Sequence, residues 1–352
     1  MNKSLVISLD GMGGDNAPDI VVKGAALARE RLPQASFLLY GDQKRLKPLV
    51  DAQPHLKGCV DIRHTDQVVA NTDKPSVALR KGKQSSMRLA IDAVRNGEAS
   101  GVVSAGNTGA LMAMAMFGLR TLAGVDRPAI TSIIPTLRGA SCMLDLGANV
   151  ECDADNLVQF AVMGEVFART VMGLNQPTIG LLNVGVEELK GKDEVKLAAA
   201  MLRDTNLPIE FKGFVEGDDI AKGTVNVIVT DGYTGNIALK TAEGTSKLVS
   251  GYLREAFSSS LISKIGYLFA KRSIDKMRLR VDPRQYNGAV FLGLNGICVK
   301  SHGGTDEVGF ANAIGVAADM ASNDFISKMR DDFESLKSET PFEQEHEKTV
   351  SN

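Results

Sequence analysis

Short, nearly unbroken apolar runs separated by segments of helical spacing dominate the pattern along this chain. Runs at 5–9, 37–40, 60–62, 101–104, 130–134, 142–146, 178–183, 225–229, 289–292 and 297–300 read as strands. Between most of them the apolar period lengthens. Within 85–95, for example, Met87, Ala90, Ile91 and Val94 recur at i, i+3, i+4 and i+7, which marks one buried helix face. Strands that are continuously apolar are buried on both sides, so the pattern predicts an α/β fold, a Rossmann-like α/β/α sandwich with a mainly parallel sheet. No repeat and no Gly/Ser/Pro linker divides the chain. That predicts a single catalytic unit over 1–336, carrying a basic helical insert at 250–285 and followed by a polar, frayed tail at 337–352.

In sheets of this kind ligands bind beyond the carboxyl ends of the strands, so the residues after each run are where chemistry is expected. The first run breaks into Asp10, Gly11, Met12, Gly13, Gly14, Asp15, Asn16, Ala17 and Pro18. Three glycines in four positions bring bare amides close to a ligand, and Asn16 with Pro18 suits the cap and first turn of a helix whose N-terminus favours anions. The spacing is not G-x-G-x-x-G, and the Walker-like stretch at 185–193 is one residue too long and ends in Asp193. Neither a dinucleotide nor a nucleoside triphosphate is the expected ligand.

A second loop of small residues, Ser104 to Ala110, follows the run at 101–104. Thr108 suits a helix cap, while Asn107 and the exposed amides around Gly106 suit a phosphate or a carbonyl oxygen. Val102 occupies the first glycine position of G-x-S-x-G, which argues against Ser104 as a covalent nucleophile. Lys74, Arg80, Lys81 and Lys83 lie within ten residues ahead of a helix, either as a solvated face or as charge for a phosphate group. Asn183, Glu187, Glu188 and Lys190 follow the run at 178–183, Asn236 lies just beyond the run at 225–229, and His302 follows that at 297–300. A lone histidine is more often a loop residue than a general acid, and no partner carboxylate is assignable to His302 from sequence.

Composition narrows the field. A chain of 352 residues with 44% apolar and 23% charged residues is that of an ordinary globular protein, and a net charge of −2 gives no general reason to expect nucleic acid. Four scattered cysteines without C-x-x-C point to a reducing cytoplasm rather than to zinc or disulfides. No metal and no cofactor are expected, because no ligand spacing is present. The early apolar run is too short for a signal-peptide core, and the uncharged stretch at 99–119 carries too many glycines and polar residues for a membrane span.

One segment stands apart. Leu253, Phe257, Leu261, Ile265, Leu268 and Phe269 recur at helical spacing over 252–274, and the region 264–284 carries a net +5 from residues such as Lys271 and Arg272. Three uses fit: a helix pair at a dimer interface, a segment dipping into an anionic membrane surface, or a docking patch for an acidic partner.

Seven segments in order, LDGMGGDNAP at 9–18, KPSVALRKGKQSSM at 74–87, SAGNTGA at 104–110, LDLGAN at 144–149, LNVGVEELKG at 182–191, DGYTGNIALKTAEG at 231–244 and SHGGTDEVGF at 301–310, closely resemble the bacterial phosphate acyltransferases of phospholipid synthesis. The resemblance spans nearly the whole chain. It implies transfer of a fatty acyl group from acyl carrier protein to inorganic phosphate, on a fold similar to isocitrate and isopropylmalate dehydrogenases and phosphotransacetylase. It also implies a homodimer, a cytoplasmic protein peripheral to the inner face of the cytoplasmic membrane, and hand-over of acyl phosphate to a glycerol-3-phosphate acyltransferase. A carrier-binding scaffold without turnover and a dehydrogenase of similar fold are the alternative functions. Thiolate departs readily and phosphate is itself a nucleophile, so this chemistry needs an anion cradle and an oxyanion donor rather than a serine triad. Asp10, Gly11, Gly13, Gly14, Asn16, Lys81, Ser104, Gly106, Thr108 and Asn183 are the expected substrate contacts, with Asn107, Lys190, Asn236 and His302 as catalytic groups. Leu261, Ile265, Leu268, Phe269, Lys271 and Arg272 are the expected membrane contacts.

Overall fold

The computed structural model describes residues 5–205, 209–280 and 282–339. The chain opens with β1 (Val6–Asp10), α1 (Asp19–Arg31), β2 (Ser36–Gly41), α2 (Gln43–Asp51) and β3 (Val60–His64). Next come α3 (Pro75–Lys81), α4 (Ser86–Arg95), β4 (Gly101–Ser104), α5 (Thr108–Leu119), and the hairpin of β5 (Ala129–Thr136) and β6 (Gly139–Leu144). The middle of the chain forms α6 (Ala154–Thr170), β7 (Thr178–Leu182), α7 (Asp193–Asp204), β8 (Glu210–Val215), α8 (Gly217–Lys222) and β9 (Val227–Val229). Then follow α9 (Gly232–Ser258), α10 (Leu261–Arg280), β10 (Ala289–Leu292), β11 (Ile297–Lys300), α11 (Glu307–Ser322) and α12 (Phe325–Glu339).

The strands form one sheet in the order β3-β2-β1-β4-β11-β10-β5-β6-β9-β7-β8. Its pairings are parallel except for β11–β10, β10–β5 and β5–β6. Helices α1, α6, α11 and α12 cover one face and α3, α4 and α5 the other, which is the predicted sandwich. Ten of its strands coincide with the apolar runs. The eleventh, β8, is an edge strand interrupted by Lys212 and by Gly213, which lies at φ 90°, so it has no continuous apolar signature.

The antiparallel strands at the middle of the sheet have a decisive effect. β10 runs against β11 and β5 runs against β6, so the carboxyl ends of β6, β9 and β7 lie at the opposite rim from those of β1, β4 and β11. Packing then fixes the loops at each rim. At the first rim, Gly24 of α1 abuts Phe310 of α11, where a Cβ would stand 2.9 Å from that of Phe310, and these two helices follow the loops after β1 and β11. Burying a side chain the size of Phe310 contributes about 2–3 kcal/mol. At the second rim, Gly235 of α9 sits so close to Asp145 that a Cβ would meet its carbonyl oxygen at 2.0 Å.

The amphipathic run at 252–274 is divided between two helices, because α9 ends at Ser258 and the stripe continues on α10 after a break at Ser259 and Ser260. The rings of Phe257 and Tyr267, 5.4 Å apart, join the two helices. The tail expected from 337 begins as the last residues of α12, and 340–352 lie outside the described residues.

Candidate functional site

The first rim is built around a buried carboxylate. Asp10 ends β1, and its Oδ1 accepts from the Ser86 hydroxyl at 2.6 Å while its Oδ2 accepts from the Ser104 hydroxyl at 2.7 Å. Burial pushes this carboxyl above its ordinary range, and the serine and amide hydrogen bonds partly offset that. Ser104 in turn accepts from the Gly106 amide at 3.1 Å. Ser104 is therefore a fully buried strut for its loop, with its hydroxyl proton spent on Asp10. Gly13 closes over the same carboxylate, where a Cβ would stand 2.3 Å from Asp10 Oδ2 and 2.8 Å from the Gly106 amide. Gly11 donates to the Tyr40 carbonyl at 2.8 Å and is likewise structural.

Asn107 and Thr108 exchange the roles read from sequence. Asn107 caps α5 by accepting from the Ala110 amide at 3.0 Å, and its Nδ2 donates to the carbonyls of Asn71 and Asp73 at 2.8 and 2.9 Å. Both ends of its amide are spent on the loop ahead of α3. Thr108 is exposed as the first residue of the helix, and its amide and that of Gly109 have no acceptor among the described residues. Asn16 does not cap α1 either; Pro18 takes that position, and no side chain caps the helix. Asn16 and Lys81 are exposed beside the loops.

The loop after β11 joins the first two. Gly303 accepts from the Asp15 amide at 2.9 Å, and Ser301 donates its amide to the Ser104 carbonyl at 2.9 Å. Buried Asn287 fastens this loop, accepting from the His302 amide at 2.9 Å and donating to the Ser301 hydroxyl at 2.8 Å. The exposed His302 ring accepts from the Gly304 amide through Nδ1 at 3.2 Å. In the neutral ring the proton then resides on Nε2, which has no partner among the described residues and presents a donor outward. Sequence reasoning missed Lys300. The last residue of β11, it turns its ammonium inward onto the carbonyls of Ala105, at 3.4 Å, and Ser301. Desolvation lowers its pKa to about 8, against the pull of Asp10 and Asp15. Its only sequence signal is a lysine closing an otherwise apolar strand.

The second rim repeats the design with Asp145. That carboxylate accepts from the amides of Ile130, Gly147, Ala148 and Asn149 and from the Asn149 side chain, and burial raises its pKa. Asn183 folds the next loop by donating to the carbonyls of Gly185 and Lys190 at 3.1 and 3.0 Å. Gly191, at φ 94°, lies against that amide, where a Cβ would clash with Asn183 Oδ1 at 1.9 Å. Lys190 is exposed and pairs with Glu187 at 2.8 Å. Asn236 is exposed on the first turns of α9, beside Gly147. The structure thus gathers Asp10, Gly11, Gly13, Gly14, Ser104, Gly106, Asn107, Thr108 and His302 at one rim, and Asn183, Lys190 and Asn236 at the other. Around the second rim Val150, Val184, Val186, Leu189, Tyr233 and Ile237 are exposed.

A family model described as fatty acid synthesis protein matches residues 5–328. A phosphate acyltransferase of Rhodospirillum centenum is 63% identical over 337 residues, covering 96% of this chain and 95% of that protein. One from Paramagnetospirillum magneticum is 59% identical, covering 96% of each. The chain belongs to the phosphate acyltransferase family. It is an acyltransferase enzyme.

Solved phosphotransacetylases share the fold of this acyltransferase. That of Streptococcus pyogenes superposes with a TM-score of 0.62 at 16% identity, covering 92% of this chain and 95% of its own. EutD phosphotransacetylase from Staphylococcus aureus gives 0.57 at 18%, with coverage of 90% and 94%. In the acyltransferase, burial pushes the thiols of Cys142 and Cys152 up to about 12 and that of Cys298 higher still, so none of the three is a ready nucleophile. The α9–α10 hairpin leaves Leu261, Ile265, Leu268 and Phe269 exposed, Phe269 by 88%, beside exposed Lys271 and Arg272. No helix among the described residues is long and apolar enough to cross a membrane.

Proposed function

We propose that the chain transfers a fatty acyl group from the thioester of acyl carrier protein to inorganic phosphate, releasing acyl phosphate and free carrier. The observation that carries this reading is the first rim, where three glycine-rich loops are fastened around buried Asp10 and leave unpaired amides and the His302 Nε2–H facing outward. A phosphate oxygen attacks the thioester carbonyl carbon, the C–O bond forms, and the C–S bond breaks with its electron pair on sulfur. The proton that phosphate brought ends on the thiolate. His302 donates to the oxyanion of the tetrahedral intermediate, a contribution on the order of 3 kcal/mol for a well-placed donor. Phosphate supplies the nucleophile, in keeping with a Ser104 hydroxyl spent on Asp10.

The second rim enters this reaction from another copy. Asn183, Lys190 and Asn236 follow strands that end at the opposite rim from His302, and the exposed apolar residues beside them suit a homodimer interface. The exposed stripe of α10 with its basic flank suits the anionic inner face of the cytoplasmic membrane, where acyl phosphate would pass to a glycerol-3-phosphate acyltransferase.

The deciding experiment mixes purified protein, palmitoyl-acyl carrier protein and phosphate and detects acyl phosphate by mass spectrometry. Product that depends on phosphate and appears with free carrier supports the reading. A competent carrier left intact refutes it.

A further inference from the structure

Lys300 is a cation without a counter-ion. An ammonium group donates three hydrogen bonds, and two of them go to the carbonyls of Ala105 and Ser301, in two of the three glycine loops. No carboxylate among the described residues pairs with it directly; Asp10 from β1 and Asp15 from the first loop act on it through space. A desolvated charge is costly when unpaired, and the cost is recovered where an anion arrives. The cations near α3 differ in this respect, because Lys74, Arg80, Lys81 and Lys83 are exposed and already solvated.

Glycines keep side chains out of the junction of the loops around Lys300. Gly14 and Gly303 approach so closely that a Cβ on Gly14 would stand 3.3 Å from the Gly303 carbonyl and 2.9 Å from the Ala105 side chain.

We propose that Lys300 is the counter-ion of the phosphate substrate, directing its remaining N–H at a phosphate oxygen where the loops at 10–16, 104–108 and 301–304 meet. This rests on the reading that the first rim holds phosphate. The charged groups that act on Lys300 are Asp10 and Asp15, both acidic. Desolvation has brought its pKa down to about 8, so it sheds its proton as pH rises past that point, while phosphate remains anionic.

Calorimetric titration of the full chain with inorganic phosphate from pH 6.5 to 10, without acyl donor, tests this. The wild type is expected to lose affinity about tenfold per pH unit above about pH 8 and to take up a proton on binding at pH 8.5, seen as a buffer-dependent heat. Lys300→Arg should bind without the alkaline loss, and Lys300→Met should bind at least tenfold more weakly at pH 7. Wild-type affinity that stays level to pH 10, or Lys300→Met with unchanged affinity, overturns the proposal. The wild-type profile decides the matter even if a variant fails to fold. Because no acyl donor is present, failure of the transfer reaction would appear only in the separate product assay.

Discussion

The Ser104 hydroxyl donates a 2.7 Å hydrogen bond to Asp10, a residue 94 positions earlier in the chain. With Ser86 on the other carboxylate oxygen, this bond ties the loops after β1 and β4 and the start of α4 to one buried group. Asp10→Ala would leave two buried hydroxyls without their acceptor, at a cost of roughly 2–4 kcal/mol. Asp10→Asn keeps one acceptor and should cost less than half of that. Denaturant titrations of both variants check the order; equal stability of Asp10→Ala and wild type would remove Asp10 as the anchor.

His302→Ala should lower kcat by about a hundredfold or more and leave phosphate affinity within a few-fold, because a donor to the oxyanion acts mainly in the transition state. Steady-state kinetics at saturating carrier separate the two. A change confined to KM would place His302 in binding alone.

His302→Ala and Lys190→Ala should each be nearly inactive, and together they should complement. In a two-fold dimer with composite sites, half of the randomly assembled dimers are mixed and each of those retains one intact site, so co-expression should recover about a quarter of wild-type activity. Activity no greater than that of the single variants would confine the second rim to structure.

Leu268→Asp with Phe269→Asp should abolish flotation with phosphatidylglycerol vesicles while leaving phosphate-dependent turnover in detergent-free solution within about twofold. Both side chains are exposed on α10 and bury no core, so the fold should not suffer. Unchanged flotation would exclude the stripe from membrane contact.

Much of the site was visible from sequence because its signals are local. The loops at 10–14 and 104–108 and the placement of His302 follow from glycines and polar residues directly after apolar runs, and the structure puts them at strand ends. The cap of α5 was misread for a local reason as well: Asn107 and Thr108 are both good caps, and the choice fell to Asn107, whose Nδ2 also reaches the loop carbonyls of Asn71 and Asp73. The role of Lys300 was hidden because burial of its ammonium depends on three loops distant in the chain.

By itself, the sequence determined ten of the strands, the alternation with helices that covers both faces of the sheet, and the glycine loops at strand ends. These depend on residues within a few positions of each other. Only the tertiary structure decided that β10 and β5 run against their neighbours, which sends Lys190 and Asn236 to one rim and His302 to the other. Strand direction and register are set by hydrogen bonds between segments more than a hundred residues apart, such as Val290 beside Thr131, and no local pattern encodes them.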